Sequence, residues 1–195
     1  MNFDSSTLTS PAVIIGGIVV LILIIAAIAI AVDQRKKKTE RLRSRFGPEY
    51  DLVLRKEGNR RSAEAALLDR TKRLHHLKIR DLTASERNRY IAEWEVVQSR
   101  FVDQPRAAAT EADELVNSLL QARGYPTATF EERAADISVN HALLVGPYRS
   151  AHEVTLRAAR NEATTEELRT AIIHYRALFD ELLQITTPAE QKVLA

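Results

Sequence analysis

The chain has 195 residues, 45% of them hydrophobic, with 28 Lys and Arg, 26 Asp and Glu, and no cysteine. That length suits one domain of ordinary size, and the lack of cysteine excludes a thiol nucleophile and fits a reducing compartment. The net charge of +2 conceals an asymmetry, +9 from Asp33 to Arg80 and −6 from Asp81 to Ala195, so a membrane surface or a phosphate backbone has to be considered only for the first half.

Residues 12–32 carry no charge and are almost all Ile, Val, Leu, Ala and Gly. As a helix at about 1.5 Å per residue they span roughly 31 Å, the thickness of a bilayer's hydrocarbon core. Ile and Val are mediocre helix formers in water, but in hydrocarbon a helix satisfies every backbone polar group from within, which overrides propensity. A buried core helix of this length would keep a polar face, and this stretch has none. The reading is therefore a transmembrane helix over 12–32 behind a short tail over 1–11, whose one charged side chain is Asp4. Ala12 with Gly16 and Ala27 with Ala31 form small-xxx-small pairs, a weak signal for helix pairing in the membrane.

A basic stretch follows over 33–46, carrying Arg35, Lys36, Lys37, Lys38, Arg41, Arg43 and Arg45 against Asp33 and Glu40. Cations on this flank place it in the cytoplasm and the N-terminus outside. The same seven side chains are candidates for contact with anionic lipid headgroups, at about 1 kcal/mol per nearby cation; fixing topology alone is the plainer role. A cleaved signal peptide is the rival reading, since Ala27-Ile28-Ala29 and Ala29-Ile30-Ala31 have the small-x-small form of a cleavage site. Against it stand the missing n-region cation, the long apolar stretch and the basic block behind it.

Nothing breaks the helix before Gly47-Pro48, so it is expected to run through the basic stretch. Residues 47–186 read as one cytoplasmic helical domain and 187–195 as a flexible tail. Pro48 suits the first turn of a short helix over Glu49–Lys56, ended by Gly58. From Arg60 to Leu77, the residues Ala63, Leu67, Arg70, Leu74 and Leu77 share one narrow face that is apolar except for the Arg. Thr83 with Glu86 has capping-box spacing, and the helix behind it aligns Tyr90, Trp94, Val97 and Phe101.

Asp103-Gln104-Pro105 restarts the chain as a cap followed by an early-turn proline, and Ala108, Ala112, Leu115, Leu119 and Ala122 face one way until Gly124. Thr129 and Glu132 again have capping-box spacing, before a short helix around Phe130–Ile137. Leu144, Tyr148, Ala151, Thr155 and Ala158 share a face of the next helix, which Gly146-Pro147 either kinks or starts. In the last helix Thr164 or Thr165 caps, Glu166 and Glu167 complement the dipole, and Leu168, Ile172, Tyr175, Phe179 and Leu182 form the apolar stripe. The expected fold class is all-α: one N-terminal transmembrane helix followed by an antiparallel helical bundle.

The strings Arg45-Phe46-Gly47-Pro48-Glu49-Tyr50-Asp51, Glu86-Arg87 through Tyr90 and Trp94 to Val97-Gln98, Arg100-Phe101-Val102-Asp103, Arg123-Gly124-Tyr125-Pro126, Arg133 to Val139, and His174 to Leu183 stand in these segments. Together they resemble an uncharacterised family of bacterial membrane-anchored proteins. The likeness covers nearly all of 41–184. It implies a bacterial origin and a recurring one-helix-plus-bundle design, and it carries no activity.

Enzymatic constellations are sparse. None of His75, His76, His141, His152 and His174 belongs to a His-Glu-x-x-His pair, none follows a Glu at the spacing of di-iron bundles, and no Gly-rich phosphate loop is present, so no metal and no cofactor is expected. The most suggestive polar set is His141, Tyr148, Arg149, His152, His174, Tyr175 and Arg176. A pocket, if one exists, is expected at His141, Tyr148, His152 and His174; the plainer reading packs Tyr175 in the core and pairs Arg176 with Asp180.

Nucleic acid is disfavoured, because Glu57, Glu64 and Asp69 interleave with the basic residues and no aromatic platform accompanies them. The leading expectation is a non-enzymatic interaction or scaffold module at the cytoplasmic face of a bacterial inner membrane, with the bilayer, its anionic headgroups and a protein partner or second copy as its contacts. A ligand-binding or enzymatic domain, or an exported protein, is the alternative.

Overall fold

A computed structural model describes residues 11–126 and 129–184, the side chains of 11–17, 19 and 184 lying outside that description. Among the described residues it holds eight α-helices and no strand: α1 Pro11–Phe46, α2 Pro48–Glu57, α3 Arg60–His76, α4 Ala84–Arg100, α5 Pro105–Ala122, α6 Phe130–Asn140, α7 Ala142–Ala159 and α8 Thr165–Gln184. The chain divides into two compact units, residues 1–44 and 45–195.

In the first unit, the large apolar side chains described between Ile18 and Val32 are 46% to 62% exposed, so no described residue covers them. Among the described residues no helix is long and apolar enough to cross a membrane. The described apolar stretch, Ile18 to Val32, is only about 22 Å long as a helix, and the earlier part of the span expected over 12–32 lies outside the described side chains. The tail expected over 1–11 lies outside them too, and the one over 187–195 lies outside the described residues altogether.

The second unit is a helical bundle whose local ends follow from the sequence. Gly58 takes a left-handed conformation (φ +74°) after α2, its N–H bonding the Leu54 carbonyl, and Asn59 then caps α3 by accepting from the Ser62 N–H at 2.8 Å. Thr83 with Glu86, and Thr129 with Glu132, form reciprocal capping boxes on α4 and α6. Thr164, rather than Thr165, does the same with Glu167 at the start of α8. At α5 the sequence expectation needs adjusting: Gln104 holds the cap position without a side-chain bond, and Pro105 supplies the preset φ of the first turn. Pro147 lies inside α7 and does not start it, removing only the bond to the Leu143 carbonyl near an end where few such bonds exist. The helix around Phe130 extends past Ile137 to Asn140.

Side-chain pairs give the helix directions. Glu49 meets Arg70 and Tyr50 meets Glu64, so α2 and α3 run antiparallel. Arg73–Asp136 with Arg70–Ser138 orients α3 against α6, and Tyr90–Ser118 with Arg100–Glu111 orients α4 against α5. His141–Glu181 and Thr155–Tyr175 do the same for α7 and α8.

The core fills in two parts. Trp94, Leu119, Tyr148, Tyr175, Phe179 and Leu182 are fully buried among α4, α5, α7 and α8, with Trp94 stacked on Phe179 at 4.8 Å. Phe46 at the end of α1, Tyr50 of α2, Leu67 of α3 and Ile137 of α6 are also fully buried. Where the α4–α5 and α7–α8 turns lie, Ala109, Ala158 and Leu168 close the bundle with Phe101, Val154 and Ala163.

Candidate functional site

Two residue sets carry the functional expectations, and each is described within its own unit. In the basic stretch, Arg35, Lys36, Lys37, Lys38, Arg41 and Arg43 are all exposed. Lys37 pairs with Asp33 one turn earlier at 2.8 Å, a surface contact of small energetic consequence. Arg45 belongs to the second unit, where its Nε donates to the Val139 carbonyl at 3.4 Å. It is thus tied to the end of α6.

The second set centres on α7. Tyr148 and His152 lie four residues apart, one turn of helix, and Phe130 of α6 brings them together: its ring stacks on His152 at 3.8 Å with planes 7° apart and tilts against Tyr148 at 5.0 Å. Two polar residues of α5 meet the same pair. The Tyr148 hydroxyl donates to Asn117 Oδ1 at 3.3 Å, and His152 Nδ1 lies 3.3 Å from Asp113 Oδ2, close enough for an ion pair but not aligned as a hydrogen bond. On the far side Tyr175 meets Tyr148 edge-on at 6.1 Å, and its hydroxyl lies 3.0 Å from Thr155 Oγ1. Thr155 Oγ1 also donates to the Ala151 carbonyl one turn earlier at 3.1 Å.

His141 and His174 do not join this cluster. His141 sits at the α6–α7 junction, its N–H bonding the Ile137 carbonyl and its own carbonyl accepting from Leu144, with Nδ1 3.3 Å from Glu181 of α8. His174 is half-buried on α8 with Nδ1 turned inward and unbonded. Arg176 pairs with Asp180 at 2.7 Å and lies over the Trp94 ring, while Tyr175 is in the core. The expected four-residue pocket is therefore one pair, Tyr148 and His152, with two histidines elsewhere.

The electrostatics of the cluster favour neutral, structural groups. Burial first, and the Asp113 carboxylate second, push the Tyr148 phenol up to about 12 and the Tyr175 phenol higher still, the opposite of activation toward a phenolate. Burial also lowers the His141 imidazole, with Glu181 opposing the shift. The Asp113–His152 pair has the composition of a carboxylate that orients a catalytic base, yet no hydroxyl within hydrogen-bond reach of the other ring nitrogen accompanies it among the described residues. Nor, among the described residues, do three His, Asp or Glu side chains converge as metal ligands would.

Sequence reasoning overlooked Asp113, Asn117, Phe130 and Thr155 as partners here. The signal was available in part: the α5 stripe through Ala112 and Leu119 puts Asp113 and Asn117, one turn apart, at the edge of the core. It also left Arg70 unexplained on its apolar face. Glu49 resolves that, accepting from Arg70 at 2.8 Å and from Arg149 at 3.4 Å, while Arg149 also holds Glu131.

No family model matches this chain, and neither does any curated protein or any solved structure.

Proposed function

We propose that this chain is a single-pass protein of a bacterial inner membrane, with its N-terminus outside and its helical bundle on the cytoplasmic face as a non-enzymatic interaction module. The observation that carries the reading is the uncovered apolar band on α1 followed at once, in the same helix, by exposed cations. Contiguous apolar surface of that extent is not stable in water, and lipid is the partner that satisfies every one of its faces. The cations behind it resist transfer across the bilayer, which sets the orientation. In the bundle, the polar residues nearest to a catalytic arrangement are occupied by packing and by one another, with phenols held protonated, which favours binding through the surface over chemistry in the interior.

Fusing a reporter active only in the cytoplasm to the C-terminus tests the topology. Activity, together with retention of the intact chain in alkali-washed membranes, is the expected result. A periplasmic C-terminus or a freely soluble chain removes the proposal. Crosslinking in gently solubilised membranes tests the interaction reading, with a defined oligomer or a stoichiometric partner expected; monomer alone counts against it.

A further inference from the structure

The arginines of the bundle are in the main matched to acids: Arg70, Arg73, Arg80, Arg100, Arg149 and Arg176 each hold a carboxylate. The turn between α2 and α3 departs from this pattern. Arg55 and Lys56 in the last turn of α2, and Arg60 and Arg61 in the first turn of α3, are all exposed, and no ion pair holds any of them among the described residues. Glu57 is the one carboxylate in the same seven residues.

Local stability does not account for this grouping. Cations suit the C-terminal end of α2 but are disfavoured at the N-terminal end of α3, where the unbonded N–H groups are already positive. Glu49 and Asp51 open α2, Glu86 opens α4 and Glu131 and Glu132 open α6; α3, like α5 and α7, has no acid in its first turn, and it opens on two consecutive arginines. The left-handed Gly58 and the Asn59 cap fold the chain sharply enough to bring both pairs to one tip. That tip is open: a Cβ placed on Gly58 would meet nothing within 4 Å.

We infer that the α2–α3 tip is a second contact with the anionic membrane surface, separate from the basic stretch of α1 and recognising phospholipid headgroups by charge. The inference rests on the anchored reading of the chain. Lipid is favoured over nucleic acid because the tip carries no aromatic side chain for base stacking and because α2 is only ten residues long. The tip thus lies about 15 Å along that helix from where the chain enters the bundle. Each cation near an anionic bilayer is worth about fivefold in partitioning, so four give on the order of several hundredfold. That is too little to recruit a free protein firmly, but enough to hold a tethered one, whose effective concentration at the surface is already high.

The chain has no cysteine, so Glu57→Cys gives one labelling site at the tip of the full-length protein. The labelled protein is reconstituted into phosphatidylcholine vesicles, or into vesicles also containing phosphatidylglycerol, each with a headgroup-bound quencher. Strong quenching is expected only with phosphatidylglycerol, abolished by high salt. It should fall to the phosphatidylcholine level when Arg55, Lys56, Arg60 and Arg61 are all changed to Gln, with helicity retained by circular dichroism. Equal quenching in both lipids, or quenching that survives the fourfold change, overturns the tip contact. So does a response to added RNA or duplex DNA with none to phosphatidylglycerol. Flotation after alkali reports the anchor separately: its loss overturns the anchored reading and the tip contact with it, whereas retained flotation with equal quenching in both lipids overturns the tip contact alone.

Discussion

Gly58 and Gly124 both hold positive φ, at +74° and +93°, but they stand in different surroundings. A Cβ on Gly124 would lie 2.5 Å from the Lys78 carbonyl oxygen, in a segment fixed by the Arg80 N–H to Arg123 carbonyl bond. Gly58→Ala is therefore expected to cost only the left-handed strain, about 1 kcal/mol. Gly124→Ala adds a collision with backbone that cannot give way and should cost about 3 kcal/mol or more, as read by denaturant unfolding of the two variants. His141 makes a second residue-scale prediction. Burial lowers its pKa below the ordinary 6.5, so the unfolded chain takes up a proton that the folded chain resists. Its contribution to stability is complete above about pH 6.5 and declines as the pH falls below that value. Melts across this range should show a slope that His141→Gln flattens; an unchanged slope would assign the pH dependence to other groups.

Three helices of the bundle begin with the same device, a threonine hydroxyl and a glutamate three residues on satisfying each other's backbone N–H groups. Thr83→Ala, Thr129→Ala and Thr164→Ala are each expected to cost about 1 kcal/mol, measured one at a time by denaturant titration. The acids of two boxes are also held by arginines. Arg80, then the Thr83 N–H and hydroxyl, lower Glu86 to about 2; the Thr164 N–H, then Arg157, lower Glu167 to about 2. Depressed carboxylates stabilise the fold above the ordinary carboxyl value near 4.5 and lose that contribution as pH falls toward 2. Both glutamates are at the surface, so solvent screening keeps the effect modest. The Glu86→Gln, Glu167→Gln protein should therefore be less sensitive than the parent to acid in that window. Equal acid sensitivity would mean that these boxes do not govern it.

At the scale of the bundle, Glu49 is the point where α2, α3 and α7 are joined by charge, with Ser138 of α6 reached through Arg70. Its carboxylate is nearly fully buried and Arg70 largely so. Removing the acid alone, as Glu49→Leu, leaves a poorly solvated guanidinium and is expected to cost about 3–5 kcal/mol. Replacing Glu49 and Arg70 together with apolar residues of similar volume should recover most of that loss. A double variant as unstable as the single one would show that Arg149, and not Arg70, is the partner that matters. Arg123 binds the far side in the same way: only 1% exposed, it donates to the Leu182 carbonyl of α8 at 3.0 Å. Its Nη2 lies 3.5 Å from Asp81, and burial lowers its pKa against that pairing.

The amino-acid sequence by itself determined the all-helical class, the approximate extent of each helix in the bundle, the capping glutamates and the apolar stripes. All of these depend on contacts within four residues along the chain, which periodicity reports directly. It also supplied the Arg176–Asp180 pair, for the same reason. Only the tertiary structure decided which polar residues meet. Glu49 with Arg70 and Arg149, Asp113 with His152, and Arg123 with Leu182 join helices far apart in sequence, and no local pattern encodes the crossing that brings them together. The candidate polar set divides on the same ground: residues seven or more positions apart can share a helix face and still face different neighbours, and the packing of α5 and α6 against α7 brings Tyr148 and His152 together while leaving His141 to Glu181.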